Sequence, residues 1–472
     1  MNLIKKIIQN TSLQIISKIL STILGLVAIA FVARALGTEQ FGWYTTSTSF
    51  MQFVGILADF GFMLITSQML SQGQFEQNKL LNTLFTWRLI TAGLLYGLAG
   101  GLIWLFPYQL EIKLATTIVS FSFFFITLNQ VFTGYFQHRL KMIIPAIGEV
   151  LGRVFLVIGV LIIYFGNFTE VFLKLVILIP LASLVFFLFL YKNSPKIKLE
   201  IDREITKTAF SKMWPLAISI IFNAFYLLGD RIILPLYVTQ TDVGLYGASY
   251  RVLDILLQII ALSMAILLPL LSASWAKQKL EEFKERMQLS FDLLALTTFP
   301  MIAGVIALST SIMTFVAGSQ FESSGKILFI LTFAVIGIYL GQLGGHLMLA
   351  MNKQKKSLIV FALTALFGTI AYFIFIPKFG VWGAAGVSIA TETFAGLILV
   401  SLSMYHAKYI PKLLTLFKIL LSSVCMGVAV YYIPSSHVLI SVLYGMVIYT
   451  GLIFLLQAVQ TKTLKELFNK SE

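Results

Sequence analysis

Along the chain, long apolar runs alternate with short polar stretches, and the alternation persists almost from end to end. A spanning helix needs about 20 mostly apolar residues. Fourteen runs qualify: 12–36, 42–70, 80–106, 113–136, 143–165, 170–191, 213–236, 244–275, 288–316, 325–350, 358–376, 381–405, 413–433 and 438–459. Spread over 472 residues, they leave only short connections and no room for a soluble domain. The pattern predicts an all-α polytopic membrane protein of about fourteen transmembrane helices. The first run reads as a span and not as a cleaved leader, being too long, carrying Lys18 and Arg34, and being followed by thirteen more.

The polar positions orient these spans. With the N-terminus in the cytoplasm, 23 of the 34 Lys and Arg residues fall on inner connections. Three, Lys113, Lys326 and Lys378, fall on outer ones, and eight lie within spans. Positive charge marks the cytoplasmic side, so both termini are expected inside. The formal charge of +14 then reads as a cytoplasmic rim facing anionic membrane lipids, and nucleic acid is not an expected partner. Only 11% of residues are charged, against about 25% in a soluble domain, which excludes a soluble globular enzyme. The single cysteine, Cys425, cannot form an internal disulfide.

The longest inner connection, 192–212, holds six basic residues and Pro195. Its periodic part, 199–210, reads as a short surface helix. It divides the chain into an N-lobe (1–191, six spans), a linker (192–212), a C-lobe (213–405, six spans) and a terminal pair of helices with a tail (406–472). The two halves look duplicated. GTEQFGWY (37–44) and TQTDVGLY (239–246) align at an offset of 202, matching Gly42 with Gly244 and Tyr44 with Tyr246. Both stretches join the first and second spans of their half on the outer side, as expected of a parallel repeat about an axis along the membrane normal. Gly93, Gly97 and Gly101, and again Gly337, Gly341 and Gly345, form small faces that suit close helix packing or a hinge.

Motifs for chemistry are sparse. The nearest phosphate loop, Gly318 to Gly325-Lys326, has the wrong spacing, and Ile327 stands where Ser or Thr is needed. His138, His346, His406 and His437 are scattered without metal-ligand spacing. No cofactor, metal or catalytic residue is expected, and outer loops of about nine residues at most leave little room for a membrane glycosyltransferase site.

Charge inside the spans is the exception. Deep ionisable residues are costly and mark functional candidates. The first half carries Arg34, Asp59, Arg88, Glu149 and Arg153, and the second Asp230, Arg231, Arg251, Asp254 and Glu392. Lys18, Lys174 and Lys418, nearer the span ends, are expected to snorkel. Glu149 with Arg153, and Arg251 with Asp254, have the spacing of intrahelical ion pairs; Arg88 and Glu392 have no local partner. Charges spread over seven spans in both halves suit a polar chamber open alternately to each side, not a channel filter. Arginine suits a pyrophosphate, because its planar fork makes bidentate bonds. Arg34, Arg88, Arg153 and Arg251 are thus candidate substrate-binding residues. Asp59, Glu149, Asp230, Asp254 and Glu392 are candidates for orienting them or carrying a coupled H⁺ or Na⁺.

The stretches ARALGTEQFGWYTTSTSF (33–50), LADFGF (57–62), DRIILPLY (230–237), DVGLYGASYRVLD (242–254) and PKFGVWGAAGVSIATE (377–392), in this order and spacing, resemble bacterial oligosaccharide (O-antigen, Wzx-type) flippases. That family belongs to the multidrug/oligosaccharidyl-lipid/polysaccharide exporter superfamily. The resemblance implies two six-helix lobes in a V around a central cavity, with two extra C-terminal helices. It implies flipping of an undecaprenyl-pyrophosphate-linked oligosaccharide across the bacterial inner membrane, beside a polysaccharide polymerase and glycosyltransferases. Relatives place cavity arginines in the first and eighth spans, where Arg34 and Arg251 match. Lipid II flippases resemble this chain but carry an arginine in the second span, where it has Asp59. A cation-coupled multidrug extruder of the same superfamily is the alternative, with a glycosyltransferase as the more distant one.

Overall fold

In a computed structural model of the chain, residues 3–59, 61–166, 168–433 and 437–458 are described, and among them the regular structure is helical. Fourteen α-helices follow one another: α1 (Leu3–Asp59), α2 (Phe62–Gln72), α3 (Gln77–Leu102), α4 (Leu110–His138), α5 (Ile143–Phe165), α6 (Val171–Asn193), α7 (Arg203–Ile233), α8 (Gln240–Ala276), α9 (Leu280–Ala317), α10 (Ser324–Thr332), α11 (Ala334–Ala350), α12 (Gln354–Ala407), α13 (Leu414–Tyr432) and α14 (Val438–Leu455). Eleven stretches of the described residues are long and apolar enough to cross a membrane.

Helix count and span count differ for a physical reason. At 1.5 Å per residue, the 57 residues of α1 and the 54 of α12 would each run over 80 Å, far beyond a hydrocarbon core of about 30 Å. Each has one glycine in a non-helical conformation near its middle, Gly37 (φ 68°) and Gly380 (φ 55°). Both values lie in the left-handed region that glycine enters without a Cβ penalty. The chain breaks there, so each long helix holds two spans. A second break follows Asp59, where Gly61 (φ 74°) starts α2. The tenth run is likewise divided, between α10 and α11.

The chain divides into two compact units, Met1–Gly244 and Leu245–Glu472. In the first, α2, α3 and α4 enclose a core built on Phe62, Ile65, Met69, Leu80, Leu84, Phe132 and Phe136. Ile205, Ala209 and Met213 of α7 complete it. The expected surface helix over 199–210 is therefore not a separate element. Asp202 caps α7, its carboxylate accepting from the backbone N–H of Glu204 and Ile205 at 2.9 Å each, and residues 203–210 are the first turns of that helix, with Ile205 and Ala209 buried and Arg203, Glu204, Lys207 and Phe210 exposed. Before the cap, the chain is extended and strapped to α3. The N–H groups of Lys198, Glu200 and Asp202, spaced by two as in a strand, donate to Asn82 Oδ1, Thr86 Oγ1 and Thr83 Oγ1 at 3.0, 3.0 and 3.3 Å. Lys79 Nζ lies 2.7 Å from Asp202 Oδ2.

In the second unit α11 lies against the second arm of α12. A Cβ on Gly337 or Gly344 would strike the α12 backbone at Glu392–Thr393 or Leu399–Val400, whereas Gly345 meets nothing. The packing face thus runs through Gly337, Gly341 and Gly344. Gly93, Gly97 and Gly101 also meet nothing within 4 Å, so among the described residues the face expected on α3 packs against no helix. Close approaches in the first unit occur instead at Gly134, against Met63 O, and Gly152, against Ala182 O. Many large apolar side chains point outward, including Leu363, Leu366, Phe367 and Ile370 along α12, while the polar run Thr45–Ser49 is buried. That inversion is the arrangement lipid favours.

Candidate functional site

The charged residues inside the spans fall into two different environments. Arg88 lies eleven residues past the start of α3, about 16 Å along it, and has no accessible surface. Its guanidinium donates from Nε to Thr127 O at 3.2 Å, from Nη1 to Ala58 O and from Nη2 to Gln130 Oε1. The Phe62 ring lies 4.5 Å from the guanidinium carbon, and Asp59 Oδ1 lies 4.0 Å from Nη2. Ala58, Asp59 and Phe62 flank the α1–α2 break, and Thr127 and Gln130 sit on α4. Arg88 therefore supplies donors where a helix ends inside the membrane and backbone carbonyls need partners. In this structure it offers no surface to a substrate. Its partners are distant in sequence, which is why none is visible locally.

The α1–α5 seam is open by contrast. Lys18, Ser21 and Gly25 share a face of α1, and Glu149 and Arg153 face them from α5. Lys18 Nζ lies 3.6 Å from Glu149 Oε1. Gly25 leaves room for Arg153, whose Nη1 lies 3.7 Å from where a Cβ would be. Arg153 is exposed and, among the described residues, forms no ion pair. The intrahelical Glu149–Arg153 pair expected from spacing is not made, because Glu149 turns to Lys18. Lys18 is thus a partner as well as a side chain near a span end. Lys174 and Lys418 reach helix-end carbonyls, Thr169 O at 2.7 Å and Gln457 O at 3.3 Å. Arg34 is exposed on α1, with its guanidinium carbon 6.0 Å from the Phe31 ring. Asp230, on α7, is buried, and its Oδ1 accepts the Arg231 backbone N–H at 2.8 Å.

In the second unit Arg251 and Asp254 on α8 and Glu392 on α12 are each half-buried. Arg251 makes no ion pair or hydrogen bond among the described residues, so the Arg251–Asp254 pair expected from spacing is absent too. A cavity of about 840 Å³ lies along the two arms of α12, walled by Phe367, Phe375, Phe379, Trp382 and Phe394. Its two hydroxyls, Thr364 and Thr391, bond back to Val360 O and Val387 O of their own helix. The lining carries no charge, and apart from the Trp382 indole N–H and these two self-bonded hydroxyls its side chains are apolar, which suits an apolar group and not a pyrophosphate. Among the described residues, no group of three or more His, Cys, Asp or Glu could hold a metal ion.

Three side-chain sets escape a reading of the sequence alone. They are Thr127 with Gln130, the α3 triad Asn82, Thr83 and Thr86, and the run Thr45–Ser49. All are uncharged polar residues in apolar helices. The signal that could have found them is a polar side chain buried in lipid-depth structure, which needs a bonding partner.

Comparison with known proteins follows the same lines. Residues 7–275, more than half of the chain, match the model of the family described as "Polysaccharide biosynthesis protein". A relative from Haloferax volcanii, the "Probable low-salt glycan biosynthesis flippase Agl15", is 24% identical over 264 residues, which is 53% of this chain and 54% of the relative. The chain thus matches about half the length of that relative. Among solved structures, an inward closed conformation of the lipid II flippase MurJ is similar with a TM-score of 0.79 at 20% identity, covering 93% of this chain and 97% of that one. An inward-facing multidrug resistance MATE family transporter of the MOP superfamily gives 0.70 at 14%, covering 82% and 94%. The chain belongs to the polysaccharide biosynthesis protein family and has the multi-pass helical fold seen in lipid II flippases and multidrug transporters.

Proposed function

We propose that this protein flips a prenyl-pyrophosphate-linked oligosaccharide from the cytoplasmic to the outer leaflet of a cell membrane by ion-coupled alternating access. The observation that carries the reading is the set Arg34, Arg153 and Arg251: three arginines within apolar helices, exposed or half-buried, of which Arg153 and Arg251 form no ion pair among the described residues. A cation at lipid depth is costly unless something compensates it, and a diphosphate would compensate it through bidentate charge-assisted bonds. The family and the flippase relative support the same substrate class. Arg88 enters the proposal as a positioning residue and not as a substrate contact. Asp59, Glu149, Asp230, Asp254 and Glu392 orient the cations or carry the coupled H⁺ or Na⁺. With both termini cytoplasmic, an inside-negative potential drives the anion outward by about 2.3 kcal/mol per charge per 100 mV. Undecaprenol is the expected carrier in a bacterial inner membrane, with a polymerase and glycosyltransferases acting beside the flippase.

The test is flipping in reconstituted vesicles, offering a fluorescent prenyl-pyrophosphate oligosaccharide and, in parallel, an organic cation. Protein-dependent flipping of the anionic lipid, unaffected by the cation, is expected. Transport of the cation alone would replace this reading with the multidrug extruder.

A further inference from the structure

The duplicated glycines of the sequence meet in space. Gly42 faces the carbonyl of Gln240, the first residue of α8, so closely that a Cβ would overlap the oxygen. Gly244 faces the carbonyl of Thr38, the first residue after the Gly37 break, in the same way. Each glycine thus lies over the residue four positions before the other. Thr38 and Gln240 are themselves related by the offset of 202 that relates Gly42 and Gly244. The crossing is reciprocal, one copy of the repeat seated against the other by the same atoms. Across it Thr46 Oγ1 donates to Gln240 Oε1 at 2.8 Å. Thr45, one turn from Gly42, is buried there, and its Oγ1 has no hydrogen-bond partner among the described residues.

We infer that the Gly42–Gly244 crossing is the closing contact of the outer gate, with both glycines acting as positioning residues for transport. This rests on the flippase reading and on the orientation that places both loops outside. Two properties suit a contact that must part and re-form in each cycle. It is made by backbone, so it re-forms without side chains having to find their rotamers. It is also intolerant of bulk, because the atoms facing each missing Cβ belong to backbone, which moves only if the helices separate. A glycine at each centre allows the approach, and a larger residue at either must hold the crossing open.

The experiment uses the full chain with Cys425→Ser, since the native cysteine is exposed. In one arm Thr45→Cys reports exposure to an impermeant maleimide added outside, in intact cells. Labelling is expected to be low, and Gly42→Leu or Gly244→Leu should raise it about tenfold as a minor open state becomes the main one. Gly42→Ala should give an intermediate rise. In the other arm Thr46→Cys and Gln240→Cys are joined by a short reducible bis-thiosulfonate. Flipping in vesicles should fall about tenfold or more when the crossing is locked, because gating is an obligatory step, and recover on reduction. Unchanged labelling in both leucine variants, or full flipping by the locked protein, overturns the proposal while leaving the flippase reading intact. If the unlocked protein flips no oligosaccharide lipid, the flippase reading fails, and the labelling arm alone decides whether the crossing opens.

Discussion

Arg88 and Arg153 sit at lipid depth in one compact unit, yet they solve the problem of a buried cation in opposite ways. Arg88 is enclosed by three elements and donates to two backbone carbonyls and a glutamine, with Asp59 and the Phe62 ring beside it. Arg153 stands exposed in a slot opened by Gly25, with no ion pair among the described residues. Both have a charged side chain in an apolar run, and sequence position does not separate them. Accessibility and partners do: a satisfied arginine holds helices, and in the proposed function an arginine without an ion pair is the one assigned to the anion.

The largest expected effect breaks the enclosed side. Arg88→Ala strands Asp59 and the Ala58 carbonyl, and removing one partner of a buried charged network costs about 3–5 kcal/mol. The variant should show a strongly lowered melting temperature or fail to accumulate. Arg88→Lys should not rescue it, because an ammonium cannot reproduce the planar fork. A thermal melt in detergent checks both.

On the open side, Arg251→Ala should leave melting nearly unchanged, since the side chain makes no ion pair or hydrogen bond among the described residues. Flipping should drop about tenfold, as expected from one charge-assisted contact of about 1.5 kcal/mol. Glu149→Gln is a smaller change. Its pair with Lys18 is half-exposed, worth at most about 1 kcal/mol, so a loss of flipping far beyond the change in melting would mark Glu149 as an ion carrier.

The smallest effect concerns the strap on α3. The Ile205 backbone N–H, followed by Lys79, holds the Asp202 carboxyl below its ordinary range. A depressed folded-state value means the contribution is present at neutral pH and is lost as pH falls through that value. Protease cleavage or hydrogen exchange at 195–202 should rise in wild type as the medium is acidified below the usual carboxylate range. Asp202→Asn should already be loosened at pH 7 and change less.

The fold was largely legible in the sequence because lipid imposes one rule, a long apolar helix, which most of the runs follow, the second and tenth being broken at α1–α2 and α10–α11. The breaks at Gly37 and Gly380 fall between runs that were separate on hydropathy alone. The repeat at offset 202 was legible too, although that Gly42 and Gly244 touch was not, since periodicity carries no distance. The charged candidates were visible as exceptions to the rule. Their pairing was not, because spacing along one helix reports only partners on that helix. Glu149 prefers Lys18 on α1, and Arg88 draws on residues 30 to 42 positions away. The segment 199–210 was misread for a related reason: its charges signalled a surface, but Ile205 and Ala209 face inward to the α2–α3–α4 core.

The most direct test is the double variant Arg153→Ala/Arg251→Ala, measured for flipping of a prenyl-pyrophosphate oligosaccharide in vesicles alongside its melting temperature. The expected result is a folded protein that melts as wild type does and flips about a hundredfold more slowly, two lost contacts of about 1.4 kcal/mol each. Flipping at the wild-type rate would contradict the assignment of Arg153 and Arg251 to the pyrophosphate.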